Sequence, residues 1–134
     1  MITYARLDLA AAAGVAPWDN ANEDLSNTYV QVFYDRYPVA NGHLLFVPRI
    51  NTTEMILVAM GVAIQEGTRM VNHSECDAFN IGLNMGEAAG QTVMYPHVHL
   101  IPRHVGDCKD PVGGVRGVIL GQANYKKDGY KKPA

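Results

Sequence analysis

The spacing of apolar and polar positions changes period several times along the chain. Thr28 to Tyr34, TYVQVFY, is rich in β-branched and aromatic residues and predicts a strand. His43 to Val47 predicts a second strand. Between them, Asp35 to Gly42 holds an aspartate, a proline and an Asn-Gly pair, which is turn chemistry, so the two strands read as a hairpin. The period then lengthens. Asn51 offers a cap-like oxygen three residues before Glu54, an approximate capping box. Beyond it Ile56, Met60, Ala63, Ile64, Met70 and Val71 recur every three or four residues, which predicts an amphipathic helix to about Asn72. Gly61 and Gly67 each weaken that helix by about 1 kcal/mol relative to alanine, so packing must supply the remainder. Two more strands follow, Ala78 to Leu83 and about Val93 to Ile101. Strands mixed with one long helix predict an α+β fold, an antiparallel sheet covered by that helix. The first 25 or so residues show no clear period.

A length of 134 residues fits one domain, with residues 1–25 as an N-terminal extension and 125–134 as a lysine-rich tail. With 48% apolar residues the chain is not disordered, and a net charge of −2 excludes an electrostatic nucleic-acid binder. The longest strongly apolar run, Met55 to Ile64, is half of what a bilayer requires, so no membrane partner is expected. Cys76 and Cys108 lack the CxxC spacing of a zinc pair and read as two thiols in a reducing compartment, the cytoplasm.

Candidate chemistry converges on one stretch. His97 and His99 are two apart, so in a strand their rings project to the same side. With the strand beginning near Val93, Tyr95 and Ile101 share that side. Met94, Val98 and Leu100 form the apolar, core-facing side, and the histidines face solvent or a cleft. Two chemistries fit. The histidines form a metal-ligand pair completed by His104 or Asp107, or they act as nucleophile and acid–base groups near neutral pH. Upstream, the loop from Gly86 to Gly90 has small residues whose amides can approach an anion, and Gln91 and Thr92 add side-chain donors.

Three ordered segments make the pattern specific: YDRYPVANGHLLFVPR (Tyr34 to Arg49), FNIGLNMGEAAGQTVMYPHVHLIPR (Phe79 to Arg103) and DPVGGVRGVI (Asp110 to Ile119). Together they resemble the histidine triad (HIT) family of nucleotide hydrolases and transferases, over Tyr29 to Tyr125. The resemblance implies a HIT-like fold of about five antiparallel strands with one long helix and a short one, assembling as a homodimer. It implies cleavage at the α-phosphate of a dinucleoside polyphosphate or nucleoside phosphoramidate through a nucleotidyl-histidine intermediate. His97 takes the nucleophile's position, and His99 donates to non-bridging oxygens. Gln91 bonds near the scissile bridge, while Gly90 and Thr92 stabilise phosphate charge. Asp35 receives the ribose hydroxyls, Asn84 holds ribose or phosphate, and His43 stands behind the histidine strand. No resident cofactor is implied, with Mg²⁺ entering only on a polyphosphate substrate.

The chain departs from the family twice. Tyr95 replaces the first of three alternating histidines, the one that helps orient the nucleophile's ring, and Pro96 replaces an apolar residue beside it. A tyrosine hydroxyl can donate one orienting hydrogen bond but cannot titrate near neutral pH, so the expectation is altered efficiency, with Tyr95→His turning over as fast or faster. A nucleotide-binding module with weakened or lost catalysis is the alternative, and a metal-binding protein using His97, His99 and His104 is a third reading. The second departure is Ala16-Pro17-Trp18-Asp19 and Arg49-Ile50-Asn51, where many bacterial relatives carry zinc ligands. No zinc site can be built from these residues, and Trp18 is expected to plug the space.

Overall fold

The computed structural model describes residues 3–127 and 130–133. The elements in order are α1 (Leu7–Ala12), β1 (Val30–Tyr34), β2 (Leu44–Pro48), α2 (Thr53–Asn72), β3 (Ala78–Leu83) and β4 (Val98–Arg103), with 3-10 turns at Glu87–Ala89 and Gly114–Val118. The strands form one antiparallel sheet in the order β1-β2-β4-β3. It has four strands rather than about five. Beside β1, where a fifth would lie, runs an irregular strap held by one bridge, Ala21 to Phe33, and by Asn22 N–H donating to the Val32 carbonyl at 2.7 Å.

β2 is buried along its whole length because both faces of the sheet are covered. On one face, Val30, Val32, Leu44, Phe46, Val98 and Leu100 pack against α2. The helix is capped by the Thr52 hydroxyl, which accepts from Met55 N–H at 3.2 Å, so the cap lies one residue beyond the expected Asn51. Small residues, Ala59, Ala63 and Gly67, face inward and let the helix approach the sheet. Gly67 is required there. A Cβ on it would sit 2.7 Å from the Phe79 ring of β3, so the glycine's helix cost is offset by close packing. Ile64, expected in the buried stripe, is about half exposed, and Leu57 is more exposed still. Glu66 is buried on the same helix and is answered by Arg69, whose guanidinium donates to both carboxylate oxygens at 2.6 and 2.9 Å.

The second face was not legible as a core. Leu7 and Ala10 of α1 and Ala16 of the following turn cover Phe33, Leu45, Val47 and Tyr95 there. The alanine run that suits a short helix therefore has a packing role. Backbone hydrogen bonds fix this N-terminal segment to the end of β2: Leu7 N–H to the Arg49 carbonyl and Asn51 N–H to that of Ala5, both 2.9 Å.

The chain divides into two compact units between Arg103 and His104. The second is organised around Arg116, whose guanidinium lies 5.1 Å from the Tyr125 ring centre and 5.6 Å from that of Tyr130. Asp110 accepts two hydrogen bonds from Asn124, and Gln122 bonds the Lys131 backbone in both directions. Part of the expected lysine-rich tail, residues 128, 129 and 134, lies outside the described residues.

Candidate active site

β4 begins at Val98, five residues later than expected. Pro96 has no N–H to give a ladder, and residues 93–95 run as a bend ahead of it. His97 therefore sits at the strand's entrance and His99 one pleat inside it, opposite Leu45 on β2 and Gly82 on β3. Their ring centres are 5.1 Å apart. Both face a cleft of about 810 Å³ in the first unit, also lined by Asp35, His43, Asn84, Gly90, Gln91 and Thr92. Asp35, His43, Asn84, Gly90, Gln91 and Thr92 thus meet the two histidines in one place, whereas Tyr95, and His104 and Asp107 of the second unit, do not line this cleft.

The Tyr95 side chain is elsewhere. It is 1% exposed, packed in the second core, and its hydroxyl donates to the Pro48 carbonyl at 2.6 Å. Burial pushes this phenol up to about 12, so it remains a neutral donor. The group that orients His97 is instead the Tyr95 backbone carbonyl, which accepts from His97 Nδ1 at 2.8 Å. The hydroxyl, spent on Pro48, therefore gives His97 no orienting bond. That carbonyl fixes the tautomer of His97 and leaves the Nε2 lone pair for the cleft.

A second chain of hydrogen bonds fixes His99. Val39 N–H donates to His43 Nδ1 at 3.2 Å, so the proton of neutral His43 is on Nε2. His43 Nε2 lies 2.9 Å from His99 Nδ1 and 3.3 Å from Asp35 Oδ2. His99 Nδ1 is therefore an acceptor, and its own proton is on Nε2. One ring is set up as a lone-pair donor and its neighbour as an N–H donor.

Burial lowers the affinity of all three imidazoles for protons. For His43 and His97 the nearby Asp35 opposes the effect, and the Tyr95 carbonyl also opposes it at His97. His99 is pushed down to about 4 by burial and then by His97 and His43, against Asp35. The unfolded chain binds that proton near pH 6.5, before the folded one does. Stability is therefore full above about pH 6.5 and declines as pH falls toward 4, by on the order of 3 kcal/mol. Thermal unfolding across that range should show the decline, and His99→Asn should flatten it. An equally steep profile in the variant would contradict this assignment.

The loop is a different device from the one expected. The N–H groups of Ala89, Gly90 and Gln91 all bond back to carbonyls of Gly86 or Glu87, so they do not form an open anion cradle. Gly90 lines the cleft with φ +92°, a left-handed conformation that favours glycine. Gln91 closes the loop: its Oε1 accepts from Gly86 N–H at 2.8 Å, and its Nε2 donates to the Val93 carbonyl at 3.1 Å. One of its two amide hydrogens remains for a ligand. Asp35 is likewise partly engaged, its Oδ1 accepting from Tyr37 N–H at 2.8 Å.

Trp18 was expected as a plug, without a link to the site. Its ring lies edge-on to His97, 4.9 Å between centres, and 5.7 Å from Phe33. A lone tryptophan between Pro17 and Asp19 in an otherwise polar strap was the available signal. Asp35, His43 and His99 bring three ligand atoms within 4.8 Å of one another. A cation on His43 Nε2 would force the ring proton onto Nδ1, facing the Val39 N–H, so these donors fit a metal poorly. His104, assigned to a metal set from sequence, lies in the second unit, where its N–H donates to Asp107.

The HIT domain profile matches residues 25–106, a span that contains every one of the cleft's imidazoles. The chain belongs to the HIT family. An uncharacterized HIT-like protein of Mycobacterium tuberculosis is 30% identical over 138 residues, 89% of this chain and 92% of that protein. An adenylylsulfatase of Arabidopsis thaliana is 32% identical over 55% of this chain, and an AP-4-A phosphorylase of M. tuberculosis 35% over 53%. The HIT chain spans only 41% and 40% of the lengths of these two proteins. A HIT family protein of Bacillus anthracis superposes with a TM-score of 0.59 at 26% identity, covering 76% of this chain and 75% of its own. No helix among the described residues is long and apolar enough to cross a membrane.

Proposed function

We propose that this HIT protein is a nucleotide hydrolase that cleaves at an α-phosphate by transferring the nucleotidyl group to His97. The observation that carries this reading is the 2.8 Å bond from His97 Nδ1 to the Tyr95 carbonyl, which presents Nε2 to the cleft with its lone pair unprotonated. In the first step Nε2 bonds to the α-phosphorus, and the bridging bond breaks with its electron pair leaving on the departing group. The imidazolium so formed keeps its Nδ1–H on the carbonyl, where the new positive charge is stabilised. His99 Nε2–H and the second Gln91 amide hydrogen donate to phosphate oxygens as their charge grows. Water then breaks the N–P bond and releases the nucleoside monophosphate. Asp35 and Asn84 face the cleft where they can hold a ribose.

Neutral imidazoles favour a leaving group that departs as an anion without needing a proton. That supports dinucleoside polyphosphates over phosphoramidates, whose leaving amine must be protonated. A second copy of the chain completes the assembly in this reading, covering the exposed Leu57 and Ile64 of α2. The test is turnover of diadenosine tetraphosphate and an adenosine phosphoramidate by the purified protein, with rapid mass spectrometry of the His97 peptide kept out of acid, where the N–P bond of the adduct is labile. Faster turnover of the tetraphosphate and an AMP adduct on His97 are expected. Saturable AMP binding with neither turnover nor adduct would replace the enzyme with a nucleotide-binding module.

A further inference from the structure

The sole tryptophan of the chain stands against the proposed nucleophile, and the functional reading gives it no part. Trp18 lies on the strap beside β1. Beyond the Asn22 N–H bond to Val32, three more bonds hold that strap: Tyr34 N–H to the Asn20 carbonyl at 2.9 Å, Asn22 Nδ2 to the Tyr34 hydroxyl at 3.0 Å, and Arg36 to Asp19 at 2.7 Å. The indole also rests against Phe33 of β1 and forms a wall shared by two cavities. One is the reaction cleft, and the other, about 630 Å³, opens between α1 and the end of β2 near Arg6 and Arg49. His97 lines the cleft and not the second cavity, and Trp18 lines both, so the indole stands between the imidazole and that second space.

We propose that Trp18 is a positioning residue for His97. Its ring closes the imidazole's flank against water from the second cavity and holds it on the Tyr95 carbonyl, so that Nε2 alone is presented for attack. His97 is then confined on three sides: by the carbonyl at Nδ1, by Trp18 at one edge and by His99 at 5.1 Å. The charged and titratable groups facing it are His99 of β4, His43 ahead of β2 and Asp35 at the end of β1. Asp19 and Arg36, which also line the cleft, neutralise each other at its rim. Burial by the indole works in the same direction as the low proton affinity of His97. The proposal rests on His97 being the nucleophile, and its test has an arm that does not.

That arm is tryptophan emission, which a protonated imidazole in ring contact quenches. In the unmodified protein, emission should fall as pH drops through the His97 titration, below pH 6.5, and the transition should vanish in His97→Gln. Emission that is flat with pH, or that titrates equally in His97→Gln, would overturn the contact. The second arm compares Trp18→Ala with Trp18→Phe in single turnover on diadenosine tetraphosphate. Trp18→Ala should slow nucleotidyl transfer roughly ten- to hundredfold, change KM little, and move the acid limb of the rate profile upward by about half a pH unit or more. Trp18→Phe should restore most of both. If Trp18→Ala does not fold, Trp18→Leu supplies bulk without the planar edge and should fall between them. An unchanged rate and acid limb in Trp18→Ala, or in Trp18→Leu where the alanine variant does not fold, would overturn the proposal. A protein that turns over no nucleotide fails the functional reading instead, and emission alone then decides the position of Trp18.

Discussion

Replacing His97 with alanine is expected to reduce turnover of a dinucleoside polyphosphate by about 10³-fold or more, equivalent to about 4 kcal/mol of barrier. The loss should appear in kcat, with nucleotide affinity within a few-fold of the unmodified protein. The structure separates the two quantities. His97 offers one Nε2 lone pair to the cleft, while Asp35, Asn84, Thr92 and His99 line the remainder. Removing the imidazole deletes the bond-forming atom and leaves those groups in place. The measurement is initial rate for the variant beside an equilibrium titration with AMP. Retained turnover would show that another group attacks phosphorus, and a parallel loss of binding would show that His97 holds the ground state.

Tyr95→Phe is expected to act on stability instead. The phenol donates to the Pro48 carbonyl at 2.6 Å inside the second core, so the variant leaves a buried acceptor without its donor. That costs about 1–3 kcal/mol, several degrees of thermal midpoint for a chain of this size. The group that orients His97 is the residue's carbonyl, which any side chain at 95 retains, so kcat at temperatures below unfolding should fall less than about tenfold. Thermal denaturation and steady-state kinetics on one preparation check both halves. A large fall in kcat with unchanged stability would restore the hydroxyl to the catalytic apparatus. By the same reasoning the expected benefit of Tyr95→His loses its basis, because an imidazole there would be buried among Leu7, Phe33, Leu45 and Val47.

The contrast at residue 95 shows what the sequence carried and what it did not. α2 was legible from its apolar recurrence every three or four residues, and β1, β2 and β3 from short runs rich in β-branched, aromatic or aliphatic residues bounded by turn chemistry. His97 and His99 were legible for the same reason, since alternation places them together and the spacing to the Gly86–Gly90 loop brings both to one cleft. Tyr95 was misplaced because alternation was extended through Pro96, where the ladder ends. The second core escaped because its cover comes from α1, six residues long and capped by no side chain, and from a strap with one bridge. Elements that short have no period to read. The tautomers of His43 and His99 were hidden for another reason: they depend on a peptide N–H at Val39, and a backbone group leaves no signature in residue type.

That last contact has a consequence for how the site tolerates change over generations. The orientation of His99 descends through His43 from the Val39 amide, an atom shared by nineteen of the twenty residue types. Substitutions at 39 can drift freely in size and polarity without disturbing the relay. Only proline, or a change in the length of the turn, removes its first link. Position 39 is thus permissive in composition while the turn that holds it is strict in length, and the two constraints fall on one exposed residue.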